Sequence, residues 1–326
     1  NKMKNMTYAE GIREAMRVKM KEDPNVLLFG EDVGKFGGCF GVSAGLWEEF
    51  GDERIRDTPI SEGAIVGAAV GSAACGLKPI AELMFIDFIT VGMDQLVNQA
   101  AKMRYMFGGE INLPMVLRVP AGAGIGAAAQ HSQSLEAWVT HIPGLKVVYP
   151  SNAQDAYGLL LASVDDQNPV VFIENKVLYA MKNEVDENEL KPIPLGKAKI
   201  AKEGTDVTII TYGRQVYDSL TAAEALAKEG INAEVIDIRT LFPLDKETIF
   251  KSIEKTHKVV LVSEECKRGA YTGDIAALIA EEYFYECDAP IKRVGALNTP
   301  IPFATDLENY VIPNSRDIEL AVKSLF

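Results

Sequence analysis

The stretch Asp57-Thr58-Pro59-Ile60-Ser61-Glu62-Gly63, then a small-residue run over 64–76, then Pro79-Ile80-Ala81-Glu82-Leu83-Met84-Phe85, reads as a loop, a helix and a strand in immediate succession. Working outward from it, strand-like apolar runs alternate with helical patterns along nearly the whole chain, which is how parallel sheets covered by helices show themselves in sequence. A first set of strands is expected at 26–30, 79–85, 114–119, 145–149 and 169–174, with helices near 63–75, 94–107 and 153–164. A second set is expected at 207–212, 233–238, 258–262 and 291–294. The clearest helix is 214–229, where Val216, Leu220, Ala223 and Ala227 fall on one face and Gly230 supplies a left-handed stop.

Between the two sets lies a segment rich in Lys, Glu and Asp that also carries Pro192 and Pro194, a composition that buries little and breaks regular structure. The expectation is therefore an α/β chain of two domains, each a mostly parallel sheet flanked by helices, with a first domain over 1–185, a linker over 186–204 and a second domain over 205–326. No tandem repeat argues for a solenoid.

Lys and Arg total 33 against 46 Asp and Glu, a formal charge of −13 that opposes binding to nucleic acid. The longest nearly uncharged run, 64–77, falls short of the ~20 residues that cross a bilayer, and no secretion signal is read at the N-terminus. Four scattered cysteines, Cys39, Cys75, Cys266 and Cys287, suit a reducing compartment better than a disulfide framework or a zinc site. The expectation is a soluble cytoplasmic protein with no nucleic-acid or membrane partner.

Glu62 heads an almost chargeless helix. It reads either as a solvated carboxylate complementing the helix dipole or as a buried carboxyl of raised proton affinity, kept to bond a ligand nitrogen. Gly63, Gly67 and Gly71 form a stripe on the same helix that suits close packing, within the domain or at a subunit interface. A second segment, Ala121-Gly122-Ala123-Gly124-Ile125-Gly126-Ala127-Ala128-Ala129-Gln130-His131-Ser132-Gln133, follows the strand 114–119. Its glycines do not make the dinucleotide fingerprint, since they read Gly-x-Gly-x-Gly and the strand is not the first of its sheet. What the loop offers is His131, one of three histidines, whose imidazole (unperturbed pKa near ~6.5) can carry a proton or simply hold the loop by a hydrogen bond. His141 and His257 read as structural.

Taken together these segments resemble the β subunit of the thiamine-diphosphate-dependent first component of 2-oxo acid dehydrogenase complexes, of the pyruvate or acetoin type. The likeness runs from Met6 to the C-terminus and rests on Phe29-Gly30-Glu31-Asp32-Val33, Asp57-Thr58-Pro59-Ile60-Ser61-Glu62, Gln130-His131-Ser132-Gln133 and His141-Ile142-Pro143-Gly144-Leu145-Lys146-Val147-Val148. Asn168-Pro169-Val170-Val171 and Tyr212-Gly213 also match. The resemblance implies a pyrimidine-binding domain followed by a transketolase C-terminal-like domain. It also implies a heterotetramer of two α and two β chains, with each cofactor held between an α and a β subunit and magnesium held mainly by α.

By the same resemblance Glu62 bonds the pyrimidine nitrogen and favours the imino form that deprotonates the thiazolium carbon. Ile60, Met84 and Phe88 would pack on the pyrimidine, and His131 would serve acyl transfer to the lipoyl arm of a dihydrolipoyl acyltransferase. Potassium would be held by the backbone carbonyls of Met115, Ser163, Asp166 and Asn168. The implied activity is an acetoin or pyruvate dehydrogenase (acetyl-transferring), an oxidoreductase active only with its α subunit, and the branched-chain 2-oxo acid enzyme is the alternative. Two readings from other classes are a nicotinamide dehydrogenase, which lacks its glycine fingerprint here, and a noncatalytic assembly or electron-transfer subunit.

Overall fold

A computed structural model of the chain describes residues 2–326; Asn1, where the expected first domain begins, lies outside the described residues. The strands in chain order are β1 (Met3–Thr7), β2 (Val26–Gly30), β3 (Ile55–Asp57), β4 (Lys78–Glu82), β5 (Val116–Ala121), β6 (Lys146–Val148), β7 (Val170–Asn175), β8 (Lys182–Asp186), β9 (Lys199–Lys202), β10 (Val207–Thr211), β11 (Ala233–Asp237), β12 (Thr240–Phe242), β13 (Val259–Cys266) and β14 (Lys292–Ala296).

Two compact units emerge. One runs to Ala121 and includes Trp138–Leu195; the other joins Gly122–Ala137 to Gly196–Phe326. Two features depart from a simple cut at a linker. The glycine loop that carries His131 goes with the second unit, and the segment expected as a bare linker supplies β9, paired antiparallel to β11.

In the first unit the strands lie in the order β6-β7-β5-β4-β2-β3, and every neighbouring pair is parallel. All residues of β5 and β7 are buried, so their apolar runs reflect a sheet covered on both faces. The helix Tyr8–Glu22 begins with a capping box: Thr7 Oγ1 accepts from the Glu10 N–H at 3.1 Å, and Glu10 Oε2 accepts from the Thr7 N–H at 2.7 Å. Asn152 caps the helix Ala153–Asp165 by a single bond, its Oδ1 accepting from the Asp155 N–H at 2.9 Å. The helix expected over 94–107 is a π-helix at Asp94–Ala100 running into an α-helix at Ala101–Met106. A two-stranded antiparallel pair, β1 with β8, completes this unit.

The second unit orders its strands β14-β13-β10-β11-β9, parallel except at β9. Its core collects Val207, Ile209, Val235, Val260 and Val262 from the strands with Ala222, Ala223 and Leu226 from the helix Gln215–Lys228. Each fully buried Val or Leu contributes roughly 1.5–3 kcal/mol. The buried face of that helix runs through Gln215, Val216, Ser219, Ala222, Ala223 and Leu226, so it is rotated from the expected stripe. Ala227 is exposed and Leu220 is only partly buried. Gly230 follows with φ +86°, the left-handed stop that the sequence suggested.

Candidate active site

In an open parallel sheet the carboxyl ends of the strands are where ligands settle. In the first unit β2 is flanked by β3 on one side and β4 on the other, and Gly30 pairs with both Asp57 and Glu82 at its C-terminal end. The Thr58 N–H then donates to the Gly30 carbonyl at 2.9 Å, which lays the run Thr58–Ser61 against the end of β2 and delivers Glu62 as the first residue of the helix Glu62–Ala74. Glu62 is buried, 8% exposed, beside Glu31, 5% exposed.

The two carboxyl groups share a hydrogen bond, and the proton affinity of Glu31 is raised. Burial is the main cause, the charges of Glu62 and Asp32 add to it, and the Ser61 N–H bond opposes it. Two carboxyls in contact disfavour a second negative charge, so the pair is suited to sharing a proton. Glu31 Oε1 is buried with no hydrogen-bond partner, and so is Gln95 Oε1, 3.8 Å from where a Cβ on Gly63 would lie. Buried acceptors left without a partner call for one, and a bound polar group can supply it. Met84 and Phe88 follow β4, both half-buried, while Ile60 is 82% exposed.

The glycine stripe divides. A Cβ on Gly63 or Gly67 would contact Val91 and Gln95 of the same unit, whereas Gly71 faces open space. These are ordinary van der Waals distances, so packing inside the unit leaves room for a methyl group at all three positions.

Below the strand ends lies a charged group that sequence reading did not single out. Arg118 of β5 is fully buried and donates from Nη1 to Glu82 Oε2 of β4 at 2.6 Å, and from Nε and Nη2 to the two oxygens of Glu174 of β7 at 2.7 Å each. Tyr179 Oη donates to Glu174 Oε1 at 2.8 Å. Burial raises the proton affinity of Glu82 while the Arg118 guanidinium opposes it. Phe40 stacks on Tyr179 at 5.2 Å and meets the edge of Phe85 at 5.7 Å. Phe85 in turn meets Phe88 at 6.2 Å. A continuous set of contacts thus leads from the ion group to the segment that carries Met84 and Phe88.

In the second unit, β10 lies between β11 and β13, and the ends of β10 and β13 present Tyr212, Glu264 and Glu265. Tyr212 Oη donates to Glu136 Oε1 at 3.0 Å. Burial pushes the Glu136 carboxyl up to about 7, helped by the charge of Glu264, while Tyr212 opposes the shift. Glu265 is pushed up well above the ordinary range by burial and then by the charge of Glu136. His131 is half-buried, and its N–H donates to the Ala128 carbonyl at 3.3 Å. A cleft of about 220 Å³ borders the loop, lined by Ser132, Gln133, Glu264, Cys266, Leu297 and Thr299 among others. Ser132 Oγ is buried without a partner.

His257 closes the helix Lys246–Thr256 in a left-handed turn, with Nδ1 2.8 Å from the Glu286 carbonyl oxygen, while His141 is exposed. All four cysteines are free. At the residues expected to hold potassium, the carbonyls of Met115 and Ser163 each accept a backbone N–H, from Val170 at 3.0 Å and Asp166 at 3.3 Å. The Asp166 carboxylate pairs with Lys146 Nζ at 2.5 Å. Among the described residues no helix is long and apolar enough to cross a membrane, and no group of three or more His, Cys, Asp and Glu side chains is arranged to hold a metal ion.

The raised carboxyl at Glu136 has a consequence for stability. The folded chain binds that proton more tightly than an unfolded chain, whose Glu titrates near 4.5, so the associated stability is full below 4.5 and is lost as pH rises towards about 7. The melting temperature should fall between pH ~5 and ~8. Glu136→Gln should flatten that part of the profile in thermal unfolding; a profile unchanged by the substitution would contradict it.

The pyrimidine binding domain model of transketolase matches residues 4–182 and the transketolase C-terminal domain model matches residues 196–318. The chain is 50% identical over 320 residues to the acetoin:2,6-dichlorophenolindophenol oxidoreductase subunit beta of Bacillus subtilis, covering 94% of this chain and 93% of that one. It is 45% identical to the 2-oxoisovalerate dehydrogenase subunit beta of the same organism, covering 98% of each. With the mitochondrial pyruvate dehydrogenase E1 component subunit beta-1 of Arabidopsis thaliana it shares 44% identity, over 98% of this chain and 89% of that one. A solved split-gene transketolase, described as an inactive β4 tetramer, superposes with a TM-score of 0.81 at 23% identity over 98% of both chains, a likeness of fold.

Proposed function

Because the chain belongs to the family of transketolase-like β subunits of 2-oxo acid and acetoin dehydrogenases, we propose that it supplies the pyrimidine-binding half of a thiamine-diphosphate site completed by an α subunit. In this reading two α and two β chains assemble in a reducing cytoplasm. The enzyme passes an acetyl group from acetoin or pyruvate to the lipoyl arm of a dihydrolipoyl acyltransferase. Magnesium with the diphosphate belongs to the α subunit. Potassium at the carbonyls of Met115, Ser163, Asp166 and Asn168 is part of the same proposal and would use the second lone pairs of the first two.

The observation that carries the reading is the buried carboxyl pair at the head of the helix Glu62–Ala74, with an unpartnered oxygen on Glu31. Thiamine diphosphate, when bound, supplies a thiazolium carbon able to attack a carbonyl and an aromatic cation able to hold the electrons released. Glu62 would hold a proton at the pyrimidine nitrogen, and Glu31, bonded to it, would keep that proton in a site closed to water. Met84 and Phe88 would give the flat ring an apolar wall, with Ile60 at its edge. His131 would donate or accept the proton that acyl transfer to the lipoyl dithiolane requires.

Titrating thiamine diphosphate into the chain with and without a co-expressed α subunit tests the proposal. Binding by the pair and little by the chain alone is expected, and cofactor-independent assembly with no oxidation of any substrate would overturn it. Assaying the pair with acetoin, pyruvate and a branched-chain 2-oxo acid then fixes the donor, the last being the alternative that the 2-oxoisovalerate relative keeps in view. His131→Ala should leave assembly intact and slow transfer to a lipoyl substrate by about 10²-fold or more. An unchanged transfer rate would remove that role.

A further inference from the structure

The loop that carries His131 is built largely from Gly and Ala, so its first half has no polar side chain with which to anchor itself. Its backbone is also costly to hold: Gly122 and Gly124 lie at φ +93° and +104°, and Ala128, with a Cβ, lies at +60°. Such a path persists only where surrounding groups fix it, and the handles available are backbone N–H groups. Successive N–H groups in this kind of alternating conformation form a concave anion site.

That concavity is filled by carboxylates of the chain itself. Glu264, at the end of β13, accepts the Ala123 N–H on Oε1 at 2.7 Å. Glu308, on the helix Thr305–Val311, accepts the Gly124 N–H on Oε1 at 2.5 Å. Both carboxylates are buried, Glu264 at 7% and Glu308 at 2% exposure. The Gly122 N–H donates to the Gln133 carbonyl at 3.1 Å and ties the two ends of the loop together. At its far end Glu136 is bonded to Tyr212. His131 thus sits on a strap pinned at both ends, and its first pins are two charge-assisted bonds from residues 141 and 184 positions away in sequence.

We propose that Glu264 and Glu308 are positioning residues, whose carboxylates hold the Ala123 and Gly124 N–H groups and so set the path of the loop that presents His131 for acyl transfer. This rests on the reading of His131 given above. Removing one carboxylate leaves a buried donor without a partner and frees a backbone path that is unfavourable by itself. Replacing it by an amide keeps an oxygen acceptor at the same place. The signature is therefore loss with alanine and recovery with glutamine, confined to the step that His131 serves.

The test uses the reconstituted α/β enzyme carrying Glu308→Ala, Glu308→Gln or His131→Ala. Amide hydrogen exchange over 122–133 is followed by mass spectrometry, and transfer to a lipoyl substrate is compared with reduction of an artificial dye acceptor. Glu308→Ala should speed exchange in the loop and lower the ratio of lipoyl transfer to dye reduction, each by about tenfold, and Glu308→Gln should restore both to within about threefold. Unchanged exchange, equal loss in both reactions, or failure of glutamine to recover what alanine loses would overturn the proposal. If His131→Ala alone leaves lipoyl transfer untouched, the premise about His131 fails, and the exchange data still report separately on the latch. Should Glu308→Ala fail to assemble, Glu264→Ala cuts the neighbouring bond and is read in the same way.

Discussion

Replacing Glu62 by glutamine should slow proton loss from the thiazolium carbon of thiamine diphosphate, bound by the α/β pair, by about 10²- to 10⁴-fold, the range that a positioned acid–base group contributes. The substitution keeps the size of the side chain at a buried position, so the fold should survive. What it removes is the exchangeable carboxyl proton and its negative alternative. As the first residue of its helix Glu62 also complements the dipole, and losing that charge costs about 0.3–1 kcal/mol, too little to unfold the unit. The buried partner matters to the size of the effect. Burial and the charge of Glu62 raise the proton affinity of Glu31, because a second anion beside the first is disfavoured. With an amide at position 62 a proton on Glu31 has no carboxylate to pass to, so Glu31 cannot take over the role. Exchange of the thiazolium proton for deuterium, followed by NMR on the assembled enzyme, reads the step directly. Wild-type exchange in the variant would sink the assignment, whereas slow exchange with intact cofactor binding would locate the defect in proton transfer.

Much of this was legible in the chain and some of it could not be. The buried parallel strands announced themselves as apolar runs because both faces of the sheet are covered, and Val116–Ala121 and Val170–Asn175 are buried at every position. Glu62 stood out because a carboxylate heading a run of Gly, Ala and Val needs a reason. Its partner did not stand out, since Glu31 lies 31 positions earlier and was visible only inside the motif Phe29-Gly30-Glu31-Asp32-Val33; nothing local says that two carboxyls will meet. The antiparallel β9 hid in a lysine-rich segment because an edge strand needs few apolar residues. The attachment of Gly122–Ala137 to the second unit was hidden for the opposite reason. A loop of Gly and Ala carries no pattern, and its bonds to Glu264 and Glu308 are made by N–H groups that every residue but proline possesses.

The same blindness applies to Arg118, one charged residue in the run Val-Leu-Arg-Val-Pro-Ala, whose partners Glu82 and Glu174 are 36 and 56 positions away. Its replacement by methionine should cost the first unit about 3–5 kcal/mol, because two buried carboxyls would lose the cation paired with both and Glu174 its bidentate bond. Against a total stability of ~5–15 kcal/mol this is a large fraction. The cost should depend on pH in a definite direction. Burial already raises the proton affinity of Glu82 and Arg118 holds it in check, so without the guanidinium the folded chain would take up a proton there more readily than the unfolded one. A carboxyl with a raised folded value stabilises at low pH and loses that contribution as pH rises. The variant should therefore approach wild-type stability near pH ~5 and fall furthest behind above pH ~7. Urea unfolding at the two pH values measures the difference, and a deficit independent of pH would mean that lost packing, rather than stranded charge, is responsible. Since Tyr179, Phe40 and Phe85 connect this ion group to Phe88, the same variant should also weaken cofactor binding by the α/β pair at temperatures where both forms remain folded. Unaltered affinity there would show that the wall formed by Met84 and Phe88 stands without support from below.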